Sequence, residues 1–125
     1  MRFPPPLHEL EGEIMDELWR RGEATVRDVL EALNGRGGAQ RAYTTILTVM
    51  QRLYAKELLR RERSGRHDRY APTLTREEYA EARAELQVGE LVSEYGDVAL
   101  AHFARHMSAL DRKRREQIRR LARGG

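Results

Sequence analysis

The sequence predicts a mainly α-helical fold interrupted by one β-hairpin, and three observations predict it. Apolar residues recur at helical spacing from residue 7 to residue 56 and again beyond residue 77. Between these stretches "LLRRERSGRHDRYAPT" changes to two short extended runs around the turn Ser64-Gly65-Arg66-His67. Glycine, proline and capping residues punctuate the boundaries of these runs.

After Pro4-Pro5-Pro6, residues Leu7, Leu10, Ile14, Met15, Leu18 and Trp19 form the stripe of a first helix, which runs to about Arg21 and stops at Gly22. Thr25 caps a second helix, and Asp28 three residues on completes a capping-box-like pair. Val26, Val29, Leu30 and Leu33 are its buried stripe, and Asn34-Gly35 ends it. "GRGGAQR", residues 35–41, reads as a flexible polar connector. The third helix covers roughly Ala42 to Lys56, with Ile46, Val49, Met50 and Leu53 inward. Strands are expected at about 58–63 and 69–72, with a basic tip and with Pro72 ending the pairing. Thr75-Arg-Glu-Glu78 is a capping box for a long helix that carries Tyr79, Ala82, Leu86, Leu91 and Val92 on one side and breaks at Gly96. Val98, Leu100, Phe103, Ala104 and Met107 belong to a shorter helix. Ser108-Ala-Leu-Asp111 is expected to cap a last one, with Leu110, Ile118 and Leu121 inside. These final helices are too thinly apolar for a good core of their own, so their stripes are expected to meet a second copy of the chain.

Composition narrows the function classes. The chain of 125 residues has no cysteine, which excludes disulfides, thiolate metal sites and thiol catalysis. Its N-terminus turns acidic where a signal peptide needs an apolar run, and no stretch approaches the ~20 apolar residues that span a bilayer. A cytoplasmic protein without direct membrane binding is the expectation. Gly35-Arg-Gly-Gly38 follows a helix and precedes no Lys-Ser/Thr, so it is no phosphate loop, and no catalytic triad or carboxylate pair stands out. Neither an enzyme nor a cofactor is expected.

Charge is unevenly placed. Residues 1–35 hold four basic and eight acidic side chains, residues 36–69 nine and three, and residues 70–125 ten and nine. The positive excess thus surrounds the third helix and the hairpin, a footprint for an anionic polymer. The outward face of the third helix is also unusual, because it carries Thr44, Thr45, Thr48, Gln51 and Arg52 where a solvated helix favours Glu and Lys pairs. Threonine is a mediocre helix former. Its short side chain, however, lets a backbone approach base edges; its hydroxyl can hydrogen-bond to bases or phosphates, and its methyl can touch thymine. Thr44, Thr48 and Arg52 follow at i, i+4, i+8 and share one face. Three helices and then a basic hairpin describe a winged helix-turn-helix, in which the third helix enters the major groove and the hairpin lies along phosphates. The expected organisation is a winged-helix DNA-binding domain over 1–74 and a helical dimerisation domain over 75–125.

The run "AYTTILTVMQRLYAKELLRRERSGRHDRYAP", with "ELEGEIMDELW" upstream, resembles the penicillinase-repressor family (BlaI/MecI type) of bacterial transcription repressors over nearly the whole chain. The resemblance implies a homodimer that sits on inverted repeats in double-stranded DNA over promoters, such as those of β-lactam resistance or related stress genes. It matches Thr44, Thr45, Thr48 and Arg52 to recognition-helix contacts and Arg66 and Arg69 to wing positions near phosphate, and it gives Tyr43 a supporting place at the helix start. It also implies a membrane sensor protease as partner, cutting in the dimerisation domain at the bond that corresponds here to His102-Phe103. Two departures are visible: Glu57 stands where many relatives have glycine, and His102 replaces the family's asparagine at the cut. Two other readings compete with the repressor. His102 and His106, at i and i+4, could hold a metal ion in a metal-responsive regulator, although Arg105 between them disfavours a cation. A helical protein-interaction adaptor would explain the last helices but not the basic segment.

Overall fold

A computed structural model describes residues 3–124. Its order is α1 Glu9–Arg21, α2 Val26–Asn34, α3 Tyr43–Ala55, β1 Leu59–Ser64, β2 His67–Pro72, α4 Arg76–Tyr95, α5 Asp97–Ala109 and α6 Arg112–Gly124. One compact unit runs to Ala84 and a second begins at Glu85, inside α4.

In the first unit, α1 ends where Gly22 takes φ +93° and donates its N–H to the Leu18 carbonyl. Thr25 then caps α2 as expected: its hydroxyl accepts from the Asp28 N–H, and the Asp28 carboxylate accepts from the Thr25 N–H. That second bond comes first among the causes holding the Asp28 carboxyl below the usual range. Ile14, Met15 and Leu18 of α1 meet Val29 of α2 and Ile46, Met50 and Leu53 of α3 in the core, each at most 1% exposed. Fully burying such a side chain contributes about 1.5–3 kcal/mol, so three anchors fix the axial rotation of α3 and decide which of its residues face out.

The hairpin is tighter than expected. Ser64 pairs with His67, leaving Gly65-Arg66 as a two-residue loop, and the register runs to Leu59 opposite Pro72. Gly65, with φ +65°, occupies the first loop position, where such turns call for positive φ. Ala24 makes an antiparallel bridge to Tyr70, with bonds of 3.0 and 2.8 Å, and so ties the hairpin to the α1–α2 link.

Helix α3 ends in a Schellman motif. The Leu58 N–H donates to the Leu53 carbonyl, the Glu57 N–H donates to the Tyr54 carbonyl, and buried Leu58 and Leu53 supply the accompanying apolar pair. Glu57 is the left-handed residue, at φ +65°. The non-glycine side chain is therefore accommodated with strain, and the Thr73 hydroxyl, donating to the Glu57 carbonyl, holds the turn.

The first turns of α4 pack on the first unit. Glu78 and Thr75 form the expected capping box, the Tyr79 hydroxyl donates to the Pro5 carbonyl and Arg83 to the Pro4 carbonyl. In the second unit Gly96, with φ +57°, separates α4 from α5. The last cap differs from the expectation: Ser108 lies in the final turns of α5, and the side chain of Asp111 accepts from the Arg114 N–H. Asp111 directly precedes the helix and reaches that N–H, whereas Ser108 is held within α5. Ala99 is the sole buried residue among the described residues of this unit, and Val88, Leu91, Tyr95, Val98 and Leu100 are exposed.

Replacing Glu57 with glycine tests the strained turn. A left-handed L-residue costs about 1–2 kcal/mol and glycine returns about 0.5–1 kcal/mol of that as chain entropy. Glu57→Gly is expected to raise thermal unfolding by a few degrees in calorimetry, and an unchanged or lower midpoint contradicts the strain.

Candidate nucleic-acid interface

The surface opposite the core anchors of α3 presents Thr44, Thr45, Thr48, Gln51 and Arg52, all exposed. Rotation fixed by Ile46, Met50 and Leu53 leaves these residues no other direction. The N-terminus of α3 has no acidic residue in its first turn and no side-chain cap on Ala42. In contrast, the first turns of α1, α2 and α4 carry Glu9, Asp28 and Glu77. The positive end of the α3 dipole is thus left uncompensated beside the threonines, which suits a phosphate.

The wing stands next to this face. A cleft of about 160 Å³ is lined by Arg27, Tyr43, Gln51, Arg63, Arg66, His67 and the carboxylate of Asp68, among others. It is well below the ~300 Å³ at which drug-sized ligands begin to be buried; Asp68 offsets Arg63 at 3.6 Å, and Arg27 and Arg66 are the cations left to meet an anionic group. Tyr43 and Arg66 therefore meet at one site. The Tyr43 ring also supports Arg27, whose guanidinium carbon lies 5.1 Å from the ring centroid. Likewise Arg61 lies 4.2 Å from the centroid of the Tyr54 ring. Among the described residues Arg66 has no carboxylate within ion-pair distance. Arg69 approaches Glu23 at 3.7 Å, both partners being largely exposed. Such a pair contributes little, so Arg69 can exchange it for a phosphate at small cost. Arg27, Arg63 and His67 were not selected from the sequence; Arg27 carried a signal, as the sole cation of α2.

Three carboxylates of α1 hold the segments at both ends of α3. Glu17, fully buried, receives hydrogen bonds from Arg20, Arg21 and Arg36, the last from the connector before α3. Glu13 pairs with Arg41 at 3.3 Å, two residues before the helix. Glu11, 2% exposed, accepts from Lys56 Nζ at 2.8 Å at the helix C-cap, and from the His8 N–H at 3.0 Å. Burial alone would raise the carboxyls of Glu11 and Glu17. The hydrogen bonds and positive charges around them outweigh it and hold both below the usual carboxylate range.

His102 and Phe103 lie in the middle of α5 in the second unit, His102 exposed and Phe103 half-buried. His106 is exposed one turn on, and Arg105 places a guanidinium nitrogen 3.5 Å from His102 Nδ1. No group of three or more His, Cys, Asp or Glu able to hold a metal occurs among the described residues. No helix of the described residues is long and apolar enough to cross a membrane.

The model of the penicillinase repressor family matches residues 7–123. A protein described as transcriptional regulator BlaI, from Mycobacterium tuberculosis strains CDC 1551 / Oshkosh and ATCC 25618 / H37Rv, is 43% identical over 108 residues, covering 82% of this chain and 75% of its own. The solution structure of the DNA binding domain of the repressor BlaI superimposes with a TM-score of 0.54 at 25% identity, covering 63% of this chain and 94% of that one.

The buried carboxylates set an acid limit on the fold. Because Glu11 and Glu17 have lower pKa values folded than unfolded, the folded state binds fewer protons at acid pH. Their contribution is complete above the unfolded glutamate value of about 4.3 and is lost as pH falls through the folded values. Glu17→Gln is expected to cost about 1–3 kcal/mol at neutral pH and to flatten the loss of stability below about pH 4.3. Denaturant titrations between pH 3 and 7 check this; parallel wild-type and variant curves contradict it.

Proposed function

The chain belongs to the penicillinase-repressor family, and from that premise we propose that it is a dimeric transcriptional repressor acting in the cytoplasm on a near-palindromic operator. It binds double-stranded DNA and performs no catalysis. The observation that carries this reading is the α3 face: three exposed threonines and Arg52 beside an uncapped helix start, with the arginines of the wing alongside. Thr44, Thr45, Thr48 and Arg52 read base edges in the major groove. Tyr43 supports the start of α3, and Arg66 and Arg69 grip phosphates. Residues 1–74 form the DNA-binding domain and residues 75–125 the dimerisation domain. The exposed Val88, Leu91, Tyr95, Val98 and Leu100 support a homodimer, since an apolar surface of this extent needs a partner. Two half-sites bound by one dimer act at high effective concentration, so separating the protomers releases the operator. β-Lactam resistance or related stress genes are the proposed targets. The proposed point of control is the His102-Phe103 bond, cut by a membrane sensor protease. Because the bond lies inside α5, the helix has to open locally before a protease can hold it extended.

Selection of genomic fragments by the purified protein is expected to enrich one inverted repeat, and sequence-blind recovery overturns the reading. On that fragment, Thr48→Ala is expected to cost about 1–3 kcal/mol with the salt slope unchanged. Arg66→Ala with Arg69→Ala is expected to flatten the slope by about one unit per lost phosphate contact. Anisotropy titrations over a salt series separate the two effects. Co-expression with a cognate sensor and a β-lactam is expected to give fragments split between residues 102 and 103, read by mass spectrometry. Derepression with an intact chain refutes control by this cut.

A further inference from the structure

Helix α6 carries the densest charge in the molecule. Its thirteen residues include Arg112, Lys113, Arg114, Arg115, Arg119, Arg120 and Arg123 against the single carboxylate of Glu116, for a net +6. Residues 36–69 need 34 positions to reach the same excess. Taken over residues 70–125 the excess falls to +1, chiefly because α4 is acidic.

The cations are sorted around the helix. Arg112, Arg119 and Arg123 recur at i, i+7 and i+11 and fall on one face, with Lys113 and Arg120 flanking it. Ile118, Leu121 and Ala122 occupy the other side, with Arg114 among them. Arg112, Arg115 and Arg119 line an open cleft with Ala104 and Met107 of α5. Arg115 is committed to the fold, donating to the carbonyls of Ser108 and Leu110. Among the described residues, the contact of Arg112 with Glu116 at 3.6 Å is the one ion pair that any of the seven cations makes. A row spanning eleven residues extends about 16 Å, enough to follow several phosphates.

We infer that the Arg112–Arg119–Arg123 face of α6 is a second, sequence-independent binding surface for the phosphates of duplex nucleic acid, separate from α3. Six of the seven cations are arginine, the side chain suited to bidentate phosphate contacts. The apolar side offers only two large residues and no aromatic, too little to embed the helix in a lipid surface. Carboxylates of the second unit do not absorb the charge either. The second unit, residues 85–125, holds eight basic and six acidic side chains, so an excess of +2 per chain remains even if every carboxylate neutralises one cation. Such a surface gives a repressor affinity for DNA flanking its operator, or for a second duplex.

The test uses the full chain, a 40-base-pair duplex lacking any inverted repeat, and the triple variants R112Q/R119Q/R123Q and R112K/R119K/R123K. Glutamine keeps helix propensity and removes charge, while lysine keeps charge. The glutamine variant is expected to remain dimeric by light scattering, to bind the duplex at least tenfold more weakly, and to lose about 1–3 units of salt slope; the lysine variant is expected to retain most of both. Hydrogen exchange on the unmodified protein is expected to show α6 amides protected by the duplex, and this decides the matter if the glutamine variant fails to fold. Unchanged affinity and slope, or no protection of α6, overturns the inference. So does a glutamine variant that becomes monomeric and is restored by lysine, which would assign the face to a partner's carboxylates. Loss of binding to vesicles containing phosphatidylglycerol with duplex binding intact overturns it in favour of a membrane. Carrying the glutamine changes on the Arg66→Ala, Arg69→Ala background keeps the outcome independent of whether α3 reads an operator.

Discussion

The grip of α1 on the two ends of α3 is the constraint on which the rest of the proposed DNA-facing surface depends. Apolar anchors alone fix rotation, but they allow a helix to slide or tilt along its stripe. Glu13 and Glu17 hold Arg41 and Arg36 just ahead of α3, and Glu11 holds Lys56 at its end. Two of these carboxylates are almost fully buried. Removing a partner from such a pair leaves an uncompensated charge, a larger penalty than that of losing a surface pair. The acidic first helix and the basic middle segment are therefore two halves of one arrangement. Some of the positive charge around α3 is used inward to position the helix, and the remainder is left outward for a polyanion.

The hairpin is held by a comparable economy of contacts. Ala24 bridges Tyr70, whose ring is buried at 1% exposure, and the Schellman turn at Glu57 delivers Leu58 and Leu59 into the core. Arg63, Arg66 and His67 at the tip consequently share a cleft with Arg27, Tyr43 and Gln51. Helix α3 and the hairpin belong to one unit with one core, so the spacing between them is set within the free chain.

Much of this was legible in the residues. The stripes of α1, α2 and α3, the boxes at Thr25 and Thr75 and the outward threonines all follow from local periodicity and capping chemistry, and the described structure shows them where expected. Contacts between distant segments left no local signal. Glu11 and Glu17 look like ordinary solvated glutamates until Lys56, 45 residues away, and Arg36, 19 residues away, are brought beside them. The Ala24–Tyr70 bridge is a single residue pair with no strand-like run to announce it. The cap at Asp111 was misplaced by three residues because Ser108-x-x-Asp111 satisfies the capping pattern as well as Asp111 itself does. The charge of α6 was hidden by averaging it with the acidic α4.

The two units differ in how much they hold by themselves. The first buries apolar residues from three helices and a hairpin, whereas the second buries Ala99 alone among its described residues. In a dimer of the kind proposed, stability that rests on association depends on concentration, so order in the second unit and occupancy of a second protomer are thermodynamically linked. In the proposed dimer, operator affinity inherits that linkage, since bivalent attachment disappears with the dimer. A regulatory event in α5 or α6 therefore has no need to touch α3. It needs only to shift the balance of a marginally buried helical unit, while the α3 face proposed to read DNA, fixed by α1, keeps its geometry.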